Sequence, residues 1–331
     1  MSKVKVAVVG TGGMGKKHTT CLKKMEDVDI IAICDINAET VANFKEIMKL
    51  ESTIYTNFDE MLEKEKLDAV YFCLPPFAHN GEVIRAAEKG INVFLEKPIA
   101  LTSEAAKPIV EAIEKNRVIS QVGHQMRFRK SIQKLYAMIA DGSAGKPTIF
   151  QGRFWCNIGE GPGWWPKIDK SGGQILEQTI HIYDLVLSLF GDVKSACGAM
   201  SNITYQDNSN YEVEDTAAGL ITFENGAIAT VTGSNASVPV HFFGDFQIGF
   251  ENVSLEYKSC GQDWVTPDQA TLYYGNDKVE TFVEDEDVYF LEDQDFITAV
   301  KNDGKAQIPA KDGLRDIKVI EKIIASAENQ L

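Results

Sequence analysis

The sequence lacks most of the features that would place a protein in a membrane, outside the cell or on nucleic acid. No apolar stretch reaches the roughly 18 residues needed to span a bilayer. The start, Met1-Ser2-Lys3-Val4-Lys5, leads straight into a strand-like segment, with neither a secretory h-region nor a small-residue cleavage site. Positive charge is in deficit: 33 Lys and Arg stand against 48 Asp and Glu, a net charge of -15. That is the wrong sign for long-range attraction to phosphate backbones or anionic lipid, so any bound phosphate must be held by local geometry. The acidic residues are dispersed, and their one run, Glu284-Asp285-Glu286-Asp287, reads as a solvated loop. Six cysteines (Cys21, Cys34, Cys73, Cys156, Cys197, Cys260) form no C-x-x-C pair, which fits a reducing compartment. Repeats, low-complexity segments and obvious linkers are also absent. The expectation is a cytoplasmic protein without nucleic-acid or membrane partners.

What is present is an ordinary globular composition, 44% hydrophobic and 24% charged, over 331 residues, a length that suggests two domains. From residue 3 to about 122, short apolar runs (Val4 to Val9, Val28 to Cys34, Leu67 to Leu74, Asn92 to Leu95, Val118 to Val122) alternate with helical periodicity. This is the pattern of β-α-β units around a parallel, doubly wound sheet. Met14, His18, Cys21, Leu22 and Met25 are spaced to face that sheet, and Val41, Phe44, Ile47 and Met48 form a stripe on a second helix. A third should start near Thr102 or Ser103 and run to Asn116, with Pro108 inside it.

From 123 to 331 the texture changes to alternating runs with turn signals, an α+β domain with a mainly antiparallel sheet. The expected strands are 147 to 156, 193 to 205, 214 to 223, 227 to 234, 245 to 257 and 270 to 283, with helices over 174 to 190 and 313 to 329. Glu224-Asn225-Gly226 predicts a type I′ hairpin turn.

Gly10-Thr11-Gly12-Gly13-Met14-Gly15 is a G-x-G-x-x-G directly after a strand and opening a helix, the setting that gives this motif its value. Gly10 permits the tight turn, Gly12 a close backbone approach to a pyrophosphate and Gly15 close helix–strand packing. The helix N-terminus then supplies the anion site that net charge cannot. Asp35, twenty residues after Gly15, stands where an acid holds the adenosine ribose hydroxyls. A 2′-phosphate 4 Å from that carboxylate costs on the order of 4 kcal/mol at an effective dielectric of about 20, about three decades of preference. No Arg follows in Ile36-Asn37, so NAD is expected over NADP.

Glu96-Lys97-Pro98 ends the fifth run at the carboxyl edge of the sheet, where ligands bind in open α/β folds, and Leu74-Pro75-Pro76 with His79 ends its neighbour. The strand-linked GTGGMG, the Glu96-Lys97-Pro98 triplet, the later Gly172-Gly173-Gln174…His181…Asp184, and an ending with Lys311-Asp312-Gly313-Leu314 together resemble the glucose-fructose oxidoreductase and inositol dehydrogenase (Gfo/Idh/MocA) family. The resemblance covers nearly the whole chain. It implies an N-terminal Rossmann domain, and a C-terminal domain whose open sheet carries the interface of a homodimer or homotetramer.

The same resemblance puts Lys97 in the active site with an acid and a histidine four apart on one helix face, here Glu177 and His181, and Asp184 a turn further. It places Gln125 and Arg127 near the nicotinamide and substrate. Two departures stand out: Glu at 177 in place of the commoner Asp, and Gln174 in place of a third glycine. Trp164 and Trp165, in a Gly/Pro-rich loop, could stack on the apolar face of a sugar or simply pack. His18, His124 and His241 read as structural. A metal site from Glu177, His181 and Asp184 is not expected, because no further His or Cys cluster completes it.

The implied chemistry is hydride transfer from a secondary hydroxyl of a sugar, cyclitol or related polyol. The hydroxyl proton must leave as the hydride moves to the nicotinamide. Histidine, with a reference pKa of about 6.5, suits the base at 181. Lys97 would stabilise the developing negative charge on oxygen, and Glu177 would orient the sugar or tune His181. In this reading Lys97 and His181, from different domains, act on one alcohol. Two alternatives remain: a glycosidase working by transient oxidation and elimination with tightly held NAD, as in some relatives, and a non-catalytic NAD-binding protein.

Overall fold

The structure, a computed structural model, is described for residues 3–157, 161, 163–236, 242–259, 267–275 and 277–328. His241 and Cys260 lie outside the described residues. The chain divides into two compact units, Met1–Gln125 with Asp287–Leu314, and Met126–Glu286 with Arg315–Leu331. The sequence pattern put a single boundary after residue 122. The first unit also takes the late segment Asp287–Leu314, because Phe296 and Ile297 on the helix Val288–Lys301 pack into its apolar core.

That core is built on six parallel strands, β1 (Val4–Val9), β2 (Val28–Cys34), β3 (Thr53–Tyr55), β4 (Ala69–Phe72), β5 (Asn92–Leu95) and β6 (Ser120–Val122). Their order, β3-β2-β1-β4-β5-β6, is the doubly wound Rossmann order. Parallel strands covered on both faces are apolar throughout, and Val6, Val8, Tyr71 and Phe94 are fully buried. The helix Gly13–Leu22 buries His18, Cys21 and Leu22 as its spacing predicts. Asn37 caps the helix Ala38–Met48 by accepting from the Thr40 N–H, and the helix buries Val41 and Phe44. Ile47, expected on the same stripe, is 62% exposed. Thr102 caps the helix Ser103–Asn116 through the Ala105 N–H, with Pro108 inside it.

The second unit carries an eight-stranded sheet: β7 (Pro147–Trp155), β8 (Val193–Ser201), β9 (Thr216–Phe223), β10 (Ile228–Ser234), β11 (Phe246–Phe250), β12 (Val253–Lys258), β13 (Asp268–Tyr274) and β14 (Val279–Glu284). The order is β14-β13-β12-β11-β7-β10-β9-β8, antiparallel except between β7 and β10. The expected strands 245–257 and 270–283 are each two strands. The first breaks where Glu251 and Asn252 donate their N–H groups to Lys146 and Ala144; the second breaks at a turn with Asp277 at φ +62°.

The turn at 224–226 is not type I′, since only Gly226 has positive φ. Gly226 donates to the Phe223 carbonyl at 3.0 Å, the pattern of a type I turn followed by a left-handed glycine. The acidic run is not merely solvated either. Glu284 is buried and accepts the N–H groups of Lys130 and Ser131 at 2.8 and 2.9 Å, capping the helix Lys130–Ala140. Asp287 caps the helix Val288–Lys301 and pairs with Lys17 at 2.9 Å.

One row of paired positions, Val279, Tyr273, Ser254, Gly249, Ile149, Ile228 and Thr222, crosses a single face of this sheet. Val279, Tyr273, Ile149 and Ile228 are exposed on it.

Candidate active site

In the first unit the glycine turn is shaped by close approaches. Gly10 has φ +88°, and a Cβ there would meet the Cys73 carbonyl oxygen at 2.4 Å; one at Gly15 would meet the Gly10 oxygen at 2.2 Å. No larger residue fits either place without moving backbone. Gly12 and Gly13 differ: a Cβ at either meets nothing within 4 Å, which leaves open space over the start of the helix. Gly12 is its N-cap and offers no side chain, so the first-turn N–H groups remain available to an anion.

Asp35 is fixed by three donors. Its Oδ2 accepts the N–H and the hydroxyl of Thr11 at 2.9 and 2.8 Å, and its Oδ1 accepts the Asn37 N–H at 3.1 Å. The carboxylate expected to meet a ribose is thus tied to the glycine turn itself. Ile36, beside it, is 95% exposed.

Leu74 and Pro75 follow β4, half-buried, and lead into the turn Pro76–Ala78. His79 comes next; neither ring nitrogen has a hydrogen-bond partner, and burial pushes its pKa down to about 4, so the ring is neutral near pH 7. Lys97 is half-buried just past β5, and its backbone N–H donates to Oε2 of the buried Glu96 at 3.2 Å. Oε1 of Glu96 lies 2.8 Å from His18 Nε2, and His18 Nδ1 lies 2.8 Å from Asp293 Oδ1. Sequence reasoning took His18 as structural and missed this link to Lys97. Its only signal was a histidine one turn after Gly15. Gln125 is half-buried on the short turn Gln125–Phe128.

In the second unit the expected helix over 174–190 is two, Gln174–Glu177 and Ile180–Phe190. Between them the regular helical hydrogen bonding lapses: the Thr179 N–H reaches back five residues to the Gln174 carbonyl at 3.0 Å, and the His181 N–H bonds to the Gln178 carbonyl at 3.4 Å. Thr179 turns its hydroxyl onto the Gln174 side-chain oxygen at 2.8 Å. Glu177 and His181 therefore lie on two successive helices rather than on one. Gln174 also donates to the Phe154 carbonyl at 3.3 Å, so it fills interior space where the family pattern has glycine.

Glu177 is 8% exposed and its Oε2 accepts from Trp165 Nε1 at 2.8 Å and Gln178 Nε2 at 2.5 Å. Trp165 is buried and serves as a donor to that carboxylate, whereas Trp164 is half-buried. His181 is 7% exposed, with the Phe154 ring 5.9 Å away. Arg127, expected near substrate, is buried with its guanidinium bidentate on Asp184, Nε to Oδ2 at 2.9 Å and Nη2 to Oδ1. Glu214, buried two residues before β9, accepts the Ile175 N–H at 2.7 Å and holds the short helix that ends in Glu177; burial pushes its pKa up to about 7.

Comparison with known proteins shows the family and the fold. Residues 4–124 match the GFO_IDH_MocA family described as "Oxidoreductase family, NAD-binding Rossmann fold", and residues 132–253 match the "GFO/IDH/MocA C-terminal domain". The chain is 29% identical to scyllo-inositol 2-dehydrogenase (NAD(+)) of Bacillus subtilis, over 92% of this chain and 88% of that protein. It is 30% identical to 2,7-anhydro-N-acetylneuraminate hydratase of Mediterraneibacter gnavus, over 73% of this chain and 64% of the relative. A solved levoglucosan dehydrogenase, in complex with NADH and levoglucosan, superimposes with a TM-score of 0.89 at 18% identity, covering 100% of this chain and 98% of that one.

Proposed function

Because the chain belongs to the GFO/IDH/MocA oxidoreductase family, with its NAD-binding Rossmann fold, we propose that it moves a hydride between a secondary hydroxyl of a sugar, cyclitol or related polyol and nicotinamide. The observation that carries this reading is the open glycine turn tied to Asp35 in the unit that also presents Lys97 at the carboxyl edge of its sheet. The polyol class is supported by relatives and neighbours named for inositols and levoglucosan.

The residues fit a dinucleotide. The space over Gly12 and the uncapped helix start would take the pyrophosphate, and Asp35 would accept from the ribose hydroxyls and disfavour a 2′-phosphate, so NAD is preferred over NADP. Thr11, Gly13, Met14, Leu74, Pro75, His79 and Gln125 complete the proposed cofactor contacts. When bound, the nicotinamide supplies the hydride acceptor.

Lys97 would donate a hydrogen bond to the reacting oxygen and stabilise its developing negative charge. His181 would take the hydroxyl proton, a contribution of about 10²- to 10⁴-fold. Glu177 would accept from a neighbouring hydroxyl, its carboxylate held for that purpose by Trp165 and Gln178. Trp164 is the candidate for stacking on the sugar. Arg127 would support the site from behind, through Asp184.

We place the subunit interface of a homodimer or homotetramer on the exposed sheet face that carries Ile149, Ile228 and Tyr273. A reducing cytoplasm suits the buried thiols of Cys21, Cys34, Cys73 and Cys156, none of them in a disulfide. No helix among the described residues is long and apolar enough to cross a membrane.

One relative is named as a hydratase, a reaction without net oxidation, which favours the second reading, a glycosidase working by transient oxidation and elimination with NAD regenerated in each turnover. A fluorescence screen for NADH, with NAD and NADP against sugars, inositols, aminosugars and sugar acids, tests the dehydrogenase. Aryl glycoside cleavage without net NADH would instead support transient oxidation.

A further inference from the structure

We propose that His18 is a positioning residue for Lys97, acting as a buried bridge between Asp293 and Glu96 that fixes the end of β5. The inference rests on the reading above that Lys97 meets the reacting oxygen.

The bridge is built from three separate elements of the first unit. His18 lies on the helix after the glycine turn, Glu96 directly follows β5, and Asp293 lies on the helix Val288–Lys301. His18 and Asp293 are completely buried and Glu96 is 5% exposed. Each ring nitrogen of His18 is 2.8 Å from a carboxylate oxygen. Ionised carboxylates only accept, so the ring must donate at both nitrogens, as an imidazolium, or one carboxyl must keep its proton. Either way the three groups hold two protons between them, and at least one of the two bonds is charge-assisted in a dry interior, which holds the arrangement rigid.

The surroundings leave the bridge no slack. The imidazole packs among Phe94, Tyr71 and Tyr289, with ring centroids 4.7, 5.6 and 6.2 Å away. A Cβ at Gly123 would meet Glu96 Oε1 at 2.9 Å, so backbone closes the far side of that carboxylate. The second oxygen of Glu96 accepts the Lys97 N–H. Displacing His18 therefore releases Glu96 Oε1 and, through Oε2, the peptide that carries the lysine. A purely structural histidine would need neither a second carboxylate nor one adjacent in sequence to the proposed catalytic residue. Misplacing a reacting group by about 1 Å can cost about 10² in rate. A loosened lysine should lower turnover more than it weakens NAD, whose proposed contacts at the glycine turn and Asp35 use none of the three bridging side chains.

The test uses the full chain and reads Lys97 directly. Trace acetylation with acetic anhydride followed by mass spectrometry gives the reactivity of Lys97 relative to the exposed Lys134. In His18→Gln, and in Asp293→Asn as a second variant that keeps volume and an acceptor, the Lys97 rate should change by about threefold or more while Lys134 is unaffected. Turnover should fall about tenfold with NAD affinity within about twofold, and His18→Gln should add nothing to Lys97→Ala. Phe44→Leu, a core truncation in the same unit, controls for lost stability and should leave the Lys97 rate unchanged. Unchanged Lys97 reactivity in both folded variants overturns the proposal, as does a full His18→Gln effect in the Lys97→Ala background. Full turnover of Lys97→Ala would instead refute the catalytic reading and leave the labelling result to decide the bridge.

Discussion

Trp165 donates its indole N–H to Glu177 at 2.8 Å, and both side chains are buried. The contact, with the Gln178 amide on the same oxygen, orients a carboxylate held away from water. Trp165→Phe keeps most of the packing and removes the donor, so it should destabilise the protein by about 1–3 kcal/mol in urea unfolding. Because the carboxylate then loses its orientation, kcat should fall by more than KM changes. Unchanged stability and kcat would mean that Glu177 is held by other groups.

Gly12 separates cofactor binding from folding. An alanine there meets nothing within 4 Å, so Gly12→Ala should change stability by less than about 0.5 kcal/mol. A dinucleotide that approaches the backbone at this point would clash with the new methyl, and NAD affinity should drop about tenfold or more. Titration of NADH fluorescence checks this; undiminished affinity would place the pyrophosphate elsewhere.

In the proposed function Asp35 sets the choice of dinucleotide. Asp35→Ser removes the charge that opposes a 2′-phosphate, and the ratio of kcat/KM for NAD over NADP should fall by about two decades or more. Some absolute activity with NAD will also be lost, because Thr11 loses its acceptor. A ratio that does not move would remove Asp35 from the ribose.

Glu214 gives a pH signature. Its pKa rises from 4.5 to about 7 through burial. The folded state therefore holds this proton more tightly than the unfolded chain, and stability declines as pH climbs from 4.5 through about 7. The decline amounts to about 3 kcal/mol. Glu214→Gln, which can still accept from Ile175, should flatten that stretch of the stability curve. Urea unfolding of both proteins at pH 5 and pH 8 measures the difference; parallel losses would assign the effect to other groups.

The parts of this fold that were legible in the sequence are those set by neighbouring residues. Apolar runs such as Val4–Val9 are buried on both faces and read directly as parallel strands, and Gly10 and Gly15 read as a turn because their constraint is local. What escaped depends on distant partners. The helix break after Glu177 needs Thr179 to find Gln174, and Glu251-Asn252 ends a strand without a glycine or proline to announce it. Docking of Val288–Lys301 on the first unit leaves no periodicity of its own. The His18 bridge joins residues 78 and 275 positions apart, beyond any window of pattern. Arg127 and Trp165 were recognisable as residues of the region, but the partners that occupy them, Asp184 and Glu177, were not.

The central claim is that Lys97 and His181 carry the chemistry of hydride transfer from an alcohol. Its most direct test is NADH formation by the wild type, Lys97→Ala and His181→Ala on whichever polyol the screen identifies, with NAD binding measured in parallel. The account predicts that each variant binds NAD normally and loses about 10²-fold or more in kcat. Full turnover in both variants would contradict it.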